Sequence, residues 1–363
     1  MNHNTKLAGA GPTAALEPPE RKAANRGASI KEVAKLANVG LGTVSRVING
    51  AESVSDATRS RVMKAIAELD YVPNIVAQSM RNHRTMTFAC VVRDFTVPVL
   101  SMFVDAMQKT IDPAGFSLIV ASSYHDLRQE LGLLQRLQQR RIDGLVITTS
   151  SEQSPELMRA LINAKFPVVL MDRRLPEELD AVVIDHASGT RTAIQHLIES
   201  GHRRIGFISG QSNLHPAISR LAGYRKALRL GLIRYSADLV RLSSFGADAA
   251  YQHTLSLLSQ PNRPTAIFAG GTSFLPGILR AARQLNLKIP RDLSIIAGAD
   301  SDIATLMTPS ISRVRWNHAE VGQAAGRLLL ERLEHPDRKP QRLEFETEFI
   351  LEGSCAPPRQ AKK

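Results

Sequence analysis

The sequence predicts a small all-α headpiece followed by a larger α/β core built on parallel sheets. Three observations carry this reading. Residues 30–82 show helical apolar spacing and cap residues with no β-type run. From Thr87 the texture changes, and short apolar runs alternate with amphipathic helical patterns, as in parallel sheets covered by helices on both faces. The chain has 363 residues, 43% of them hydrophobic, which is enough for two or three units that each bury a core.

The headpiece elements follow from local chemistry. "SIKEVAKLANV" places Ile30, Val33, Ala34 and Ala37 on one helical face, with Ser29 as N-cap. Asn38 is a left-handed terminator, since Asn tolerates positive φ better than most residues. A second short helix is expected from about Leu41 to Ile48, closed by Asn49-Gly50. Its start holds two glycines, and a glycine inside a helix costs about 1 kcal/mol relative to alanine. Gly40 falls at the N-cap, where that cost is small; Gly42 is the weak point. Ser55 caps a third helix, with Val62, Ile66 and Leu69 as its apolar stripe. Pro73 breaks the chain, and "NIVAQSMRN" reads as a fourth short helix capped by Asn74. Ala34, Val39, Val44 and Val47 have the spacing to pack the first two helices together. Two helices joined by a tight turn, the second carrying exposed Thr43, Ser45 and Arg46, describe a helix-turn-helix.

In the core, the strand candidates are "TFACVV", "FSLIVAS", "GLVITT", "PVVLMD", "AVVID", "RIGFISG", "TAIFAG" and "LSIIAGAD". Between them lie helical patterns such as "LSMFVDAMQKTI", "RQELGLLQRLQQR" and "GTRTAIQHLIESG". Two α/β units fit this length. Residues 1–28, rich in Ala, Gly and Pro, read as a disordered tail.

Formal net charge is +12, which favours an anionic partner, nucleic acid first. The excess is denser at the N-terminal end, where residues 1–85 hold 12 Lys and Arg against 7 Asp and Glu. Two cysteines, Cys90 and Cys355, imply no disulfide framework and fit a cytoplasmic, reducing compartment. Cys90 reads as a buried thiol and Cys355 as an incidental one. No apolar run approaches the ~20 residues that span a bilayer, and the N-terminus lacks the apolar stretch of a secretory signal. No phosphate-binding loop, nucleophile elbow or H-E-x-x-H motif occurs, and the histidines show no metal-ligand spacing. Catalysis, cofactors and metals are therefore not expected.

"TVSRVING", "VSDATRSRV" and "LDYVPNIVAQSMR", in this order and spacing, resemble the headpiece of the lactose-repressor/galactose-repressor (LacI/GalR) family of transcription regulators. The resemblance continues through "RRIDGLVI", "GHRRIGFISG", "RLAGYRKAL", "KIPRDLSIIAGADSD" and "PSISRVRW", and spans Ser29 to Gly353. It implies a helix-turn-helix headpiece at 29–73, a hinge helix and linker at 74–85, and a two-lobed periplasmic-binding-protein-like core at 86–353. The lobes would comprise about 86–186 with 316–340, and 187–314 with 341–353, leaving 354–363 as a tail. The implied function is a repressor on a pseudo-palindromic DNA operator, controlled by a sugar, sugar acid or sugar phosphate bound between the lobes. Tetramerising members carry an apolar C-terminal heptad segment; "APPRQAKK" cannot form one, so a homodimer is expected.

The resemblance also implies roles for residues. Arg46 would fork onto a guanine or hold a phosphate, and Thr43 and Ser45 would donate to phosphate or base edges. Leu41 and Gly42 fall where the family discriminates operators. Ser29, Asn49 and Asn74 are capping or phosphate-contact residues. In the hinge, Met80 matches the position of an apolar wedge between central base pairs, beside Ala77. In the core, Arg220 matches the family's main effector arginine and Asp300 its acceptor for hydroxyls. Asp172 ends a strand at the cleft, Phe245 matches a stacking aromatic, and Trp316 lies at the lobe crossover. The chain departs from the family at Gly271-Thr272, where Asn-Asp is common, and at Val97. Arg173, His125 and His318 lie near expected cleft loops, which points to an effector more acidic than a plain hexose. The alternative function is a sequence-independent architectural DNA-binding protein, although that would not need a ligand core of this size.

Overall fold

The computed structural model describes residues 28–48, 50–51, 53–72, 84–95, 100–243 and 246–359. Of the residues singled out above, Asn49, Asn74, Ala77, Met80, Val97 and Phe245 lie outside this set. The chain divides into two units, Met1–Asn82 and His83–Lys363.

In the first unit, α1 spans Ile30–Leu36, α2 Leu41–Ile48 and α3 Asp56–Glu68. Ser29 starts α1 through a capping box: Glu32 N–H donates to its hydroxyl, and Glu32 Oε2 accepts from Ser29 N–H at 2.6 Å. Asn38 takes φ 53°, as its residue type suggests, and turns the chain toward α2. Gly40 C=O accepts from the N–H groups of Thr43 and Val44, which makes it the N-cap of α2. Val33, Ala34 and Ala37 of the first helical segment close with Val44, Val47, Val54, Val62 and Ala65 into one small core. Val39, Ile66 and Leu69 pack around it. Arg59 ties the intervening loop to α3 by donating to Ala51 C=O at 2.8 Å.

The core unit holds two six-stranded sheets. Its strands are β1 Thr87–Val92, β2 Ser117–Ser122, β3 Gly144–Ile147, β4 Val168–Met171, β5 Asp180–Ile184, β6 Ile205–Ser209, β7 Val240–Leu242, β8 Ala266–Ala269, β9 Ser294–Ala297, β10 Ser312–Arg315, β11 Arg342–Phe345 and β12 Glu348–Ile350. The helices that bear on the argument are α4 Leu100–Ile111, α5 Leu127–Gln139, α6 Pro155–Ile162, α7 His186–Glu199, α8 His215–Leu230, α9 Ala247–Leu258, α10 Leu275–Gln284, α11 Asp302–Leu306 and α12 His318–Glu334. The first sheet runs β11-β5-β4-β3-β1-β2 and is parallel throughout. The second runs β12-β10-β9-β8-β6-β7, with β12 antiparallel to β10.

Each buried strand sends alternate side chains into two cores. Phe88, Cys90 and Val92 meet the α4–α12 layer, while Ala89 and Val91 meet α5 and α6. In the second sheet, Phe207 and Phe268 face α7 and α8, and Ile208, Ile267 and Ile295 face α9 and α10. The α4–α12 layer is tight because Gly322 carries no Cβ: one built there would lie 2.3 Å from Phe103 C=O.

Two boundaries differ from the sequence expectation. The sequence places 341–345 in the second lobe, but β11 pairs with β5 and extends the first sheet; the crossover falls after Phe345. The sequence suggests a tail at 354–363, yet Ser354 is fully buried in the second lobe. Its hydroxyl donates to Ile295 C=O at 2.6 Å and accepts from Ser312 N–H at 2.8 Å, bridging β9 and β10. Cys355 packs on the same lobe and is not incidental. Cys90 is buried, and burial pushes its thiol up to about 12.

Candidate functional site

In the headpiece, Val44 and Val47 turn one side of α2 into the core. The opposite side presents Leu41, Gly42 and Arg46 to solvent, with Thr43 and Ser45 half-buried beside them. Arg46 Nε donates to Gly42 C=O at 3.2 Å, which lays the guanidinium back along the first turn. A Cβ at Gly42 would approach only Arg46 Nη2, at 4.0 Å. The face is thus open, and the space above Gly42 is limited by Arg46 alone. Ser29 stands in its capping box at the start of α1.

In the core, the carboxyl ends of strands from both sheets converge on one cleft. This is the place where open α/β sheets bind ligands, because the loops there are free of the sheet's own pairing. The cavity has a volume of about 160 Å³. Its first-lobe wall includes Arg93, Asp94, Asp172 and Arg173; Arg220, Thr272 and Ser273 come from the second lobe. Leu100 and Phe103 of α4, with Val321 of α12, form an apolar side. Trp316 and His318, at the crossover from β10 to α12, close it.

A chain of three side chains crosses from one lobe to the other. Asp172, at the end of β4, lies 3.0 and 3.1 Å through its two oxygens from His186 Nε2. Arg220 of α8 donates from Nη2 to His186 Nδ1 at 3.1 Å. A guanidinium has no acceptor, so Nδ1 is the bare nitrogen and Nε2 carries the proton that goes to Asp172. Burial first, and then the Arg220 charge, push the imidazole down to about 4, so it is neutral at physiological pH. Burial alone would raise the Asp172 carboxyl; His186, His215 and Arg173 outweigh it and hold the group below the usual carboxylate range. Burial lowers Arg220 to about 10, opposed by Asp172, which leaves it charged. Arg220 Nε is buried and has no partner among the described residues.

Around this relay the cleft is held by further contacts. Arg173 is buried and donates to Thr149 C=O at 2.9 Å and to Asp172 C=O at 2.8 Å. Arg93 pairs with Asp94 at 2.6 Å. Glu152, on the loop after β3, accepts from Arg174 N–H and Leu175 N–H and also from His215 N–H at 2.6 Å, joining the first lobe to the start of α8. The Trp316 ring meets His186 edge-on with centroids 5.2 Å apart, and His318 at 4.7 Å. Burial pushes His318 down to about 4, and its buried Nε2 has no partner among the described residues.

The structure thus brings Asp172, Arg220 and Trp316 together with Arg173 and His318. It does not bring Asp300 into the same cavity. That carboxylate is 2.8 Å from Arg313 Nε and lines an adjoining groove with Trp316 and His318. His125 is not on the cleft wall either; it bridges the lobes through Gln211, 3.1 Å away. The sequence reading missed His186 and Arg93. Their signal is position: Arg93 directly follows buried β1, and His186 opens the helix two residues after buried β5. Among the described residues no group of three or more His, Cys, Asp or Glu is placed to hold a metal ion. No helix there is long and apolar enough to cross a membrane.

Comparison with known proteins places both units. A family model described as bacterial regulatory proteins, lacI family, matches residues 29–74. A periplasmic binding protein-like domain matches residues 194–355. The chain is 32% identical over 331 residues to the HTH-type transcriptional repressor PurR of Escherichia coli, covering 91% of this chain and 97% of that one. Among solved structures, a complex of the transcriptional regulator CelR with cellobiose is 32% identical, with a TM-score of 0.69 over 90% of this chain and 99% of that one. The Lac repressor dimer bound to operator and the anti-inducer ONPF shares the fold at 24% identity, with a TM-score of 0.80 over 91% and 99%.

Proposed function

The chain belongs to the LacI family of bacterial regulatory proteins and is a helix-turn-helix DNA-binding transcriptional regulator, not an enzyme; from that membership we propose a finer reading. It is a cytoplasmic homodimeric repressor of a pseudo-palindromic operator, and its DNA affinity is set by a small carbohydrate-type effector held in the interlobe cleft. The observation that carries this is Arg220: a buried, charged guanidinium on the cleft wall with a donor that no described residue satisfies. An unmet buried donor is costly, and a ligand acceptor removes the cost. The cellobiose held by CelR supports a sugar-type effector.

In this reading Arg220, Trp316 and Phe245 contact the effector, and Asp172 acts on it through His186. Asp300 sits at the adjoining groove, where it reaches an effector only by leaving Arg313. On the DNA side, Arg46 reads a base and Leu41 offers apolar contact to a thymine methyl. Gly42 lets the duplex approach closely, and Thr43, Ser45, Ser29, Asn49 and Asn74 hold phosphates or base edges. Met80 and Ala77 enter the minor groove from the hinge. An effector that prefers one lobe arrangement shifts DNA affinity by the difference between its affinities for the two arrangements.

The test has two parts. Selection from a random duplex pool with the full chain should yield a palindromic consensus. A thermal-shift screen of sugars, sugar acids and sugar phosphates should raise the melting temperature with at least one, since a compound that binds only the native state stabilises it. A pool that stays random, or a screen with no shift, refutes the corresponding half.

A further inference from the structure

The two lobes differ at the edge where their parallel strands begin. In the second lobe the basic side chains of that edge are occupied. Arg204 donates to Asn262 C=O and pairs with Asp238, Arg263 donates to Asp292 C=O, and Arg291 and Arg359 both pair with Asp292. In the first lobe Arg332 and Arg338 are likewise spent on Asp180, at the start of β5. Farther along that edge the cations are left open. Arg84 precedes β1, Arg141 precedes β3 and Lys165 precedes β4. All three are exposed, and among the described residues their side chains make no ion pair and no hydrogen bond.

These three residues line one groove of about 520 Å³, whose apolar floor includes Ile142, Phe166 and Leu333. Among the described residues the carboxylate that lines it is Asp143, 8% exposed. Its Oδ2 accepts from Thr85 N–H at 2.9 Å, Thr85 Oγ1 at 3.0 Å and Thr87 N–H at 3.1 Å, so it holds the start of β1 rather than a guanidinium. Glu334, next to Leu333 on α12, is exposed and does not line the groove. Unpaired cations beside an apolar floor attract an anion more strongly than cations in open water.

We propose that this edge of the first lobe is a second DNA contact, in which Arg84, Arg141 and Lys165 hold the phosphate backbone of the duplex beside the segment that the headpiece reads. The inference rests on the chain's binding an operator and is independent of the effector. The connectivity of the chain selects DNA among anions. Residues 73–83 join the DNA-binding headpiece to the core and enter it at Arg84, on this edge. At about 3.6 Å per residue this connection spans no more than about 43 Å, so duplex held by the headpiece is within its reach. An acidic protein would match the charge, but no such tether brings one here. Contacts of this kind add affinity and salt dependence without reading sequence.

The test is fluorescence anisotropy on the full chain, with salt titrated, on the selected operator in two forms: trimmed to its consensus, and with flanking duplex on both sides. The combined variant Arg84→Gln, Arg141→Gln, Lys165→Gln should bind the flanked operator at least about threefold more weakly at fixed salt. Its slope of log affinity against log salt should be shallower by about 0.9 or more, one phosphate contact or more. On the trimmed operator it should match the wild type. Lys226→Gln, Arg229→Gln, Arg234→Gln removes the same charge from exposed positions of the second lobe and should leave both duplexes unaffected. Unchanged slopes overturn the proposal, as does an equal loss in both combined variants, which would reflect net charge alone, or an equal loss on both duplexes. Wild-type protein that prefers no duplex sequence overturns the operator reading as well. Arg141 takes φ 52°; should its replacement lower the melting temperature, Arg84→Gln, Lys165→Gln carries the same prediction, and an unchanged slope in that pair contradicts it.

Discussion

The DNA-reading face of α2 and the interlobe cleft recruit the same kinds of residue under opposite conditions. On α2, Arg46 and Leu41 stand in solvent on a short helix whose far side makes the packing. In the cleft, Arg220, Arg173 and His186 are at most 5% exposed and are linked through Asp172, whose carbonyl accepts from Arg173 and whose carboxylate meets His186, which in turn accepts from Arg220. The exposed residues can be exchanged with little effect on the fold, which suits a surface whose sequence specificity varies. The buried ones combine function with stability, so a change at one is felt by the others.

Acid should separate the two regions most. The buried His186 and His318 have their pKa lowered from 6.5 to about 4. The unfolded chain then binds more protons than the folded one between these values, so core stability falls as pH drops from 6.5 toward 4. The two groups together make this on the order of several kcal/mol. Residues 28–72 contain no histidine, and the lowered Glu32 acts only below its ordinary value of 4.5. Separate melting of headpiece and core fragments by circular dichroism from pH 7 to 4.5 should show a falling core and a flat headpiece. Parallel curves would break the comparison.

Next in size is Arg220→Ala, which should weaken effector binding by about 2–5 kcal/mol, as for truncation of one partner in a buried charged pair. The readout is loss of the effector-induced rise in melting temperature. Arg46→Ala should remove about 1–3 kcal/mol of discrimination between the selected operator and a random duplex, with weak binding retained and the melting temperature unchanged. A large drop in melting temperature would mean that α2 relies on Arg46 for its fold. Smallest is Gly42→Ala, which should stabilise the headpiece by up to about 1 kcal/mol, since a Cβ there meets only the far end of Arg46. Operator affinity should fall with it if the bare backbone faces the groove.

How far the sequence was readable follows the same division. The headpiece elements rest on neighbours: a capping box at Ser29 and Glu32, Asn38 at positive φ, and the Val44–Val47 stripe. The eight apolar strands were equally clear because doubly buried strands are continuous hydrophobic runs. β7, β11 and β12 were not, since they are short edge strands with exposed or half-exposed positions. β10 hid for a different reason. Two of its three buried residues are polar, with Ser312 satisfied by Ser354 and Arg313 by Asp300 and Glu352, and only Val314 is apolar. In the cleft, Asp172, Arg220 and Trp316 were found through resemblance, whereas His186 was not, because "VIDHASG" reads locally as a capped helix start. Its role depends on Asp172 and Arg220, 14 and 34 residues away, and no local pattern encodes that meeting.

The central claim is that occupation of this cleft sets DNA affinity. It is tested most directly by measuring the operator Kd of the full chain, by fluorescence anisotropy at fixed salt, while titrating the compound found by the thermal-shift screen. The account predicts a shift of at least fivefold in the wild-type protein, the low end of ordinary allosteric coupling, and none in Arg220→Ala over the same range. An equal shift in both proteins, or a bound compound with an unmoved operator Kd, would contradict it.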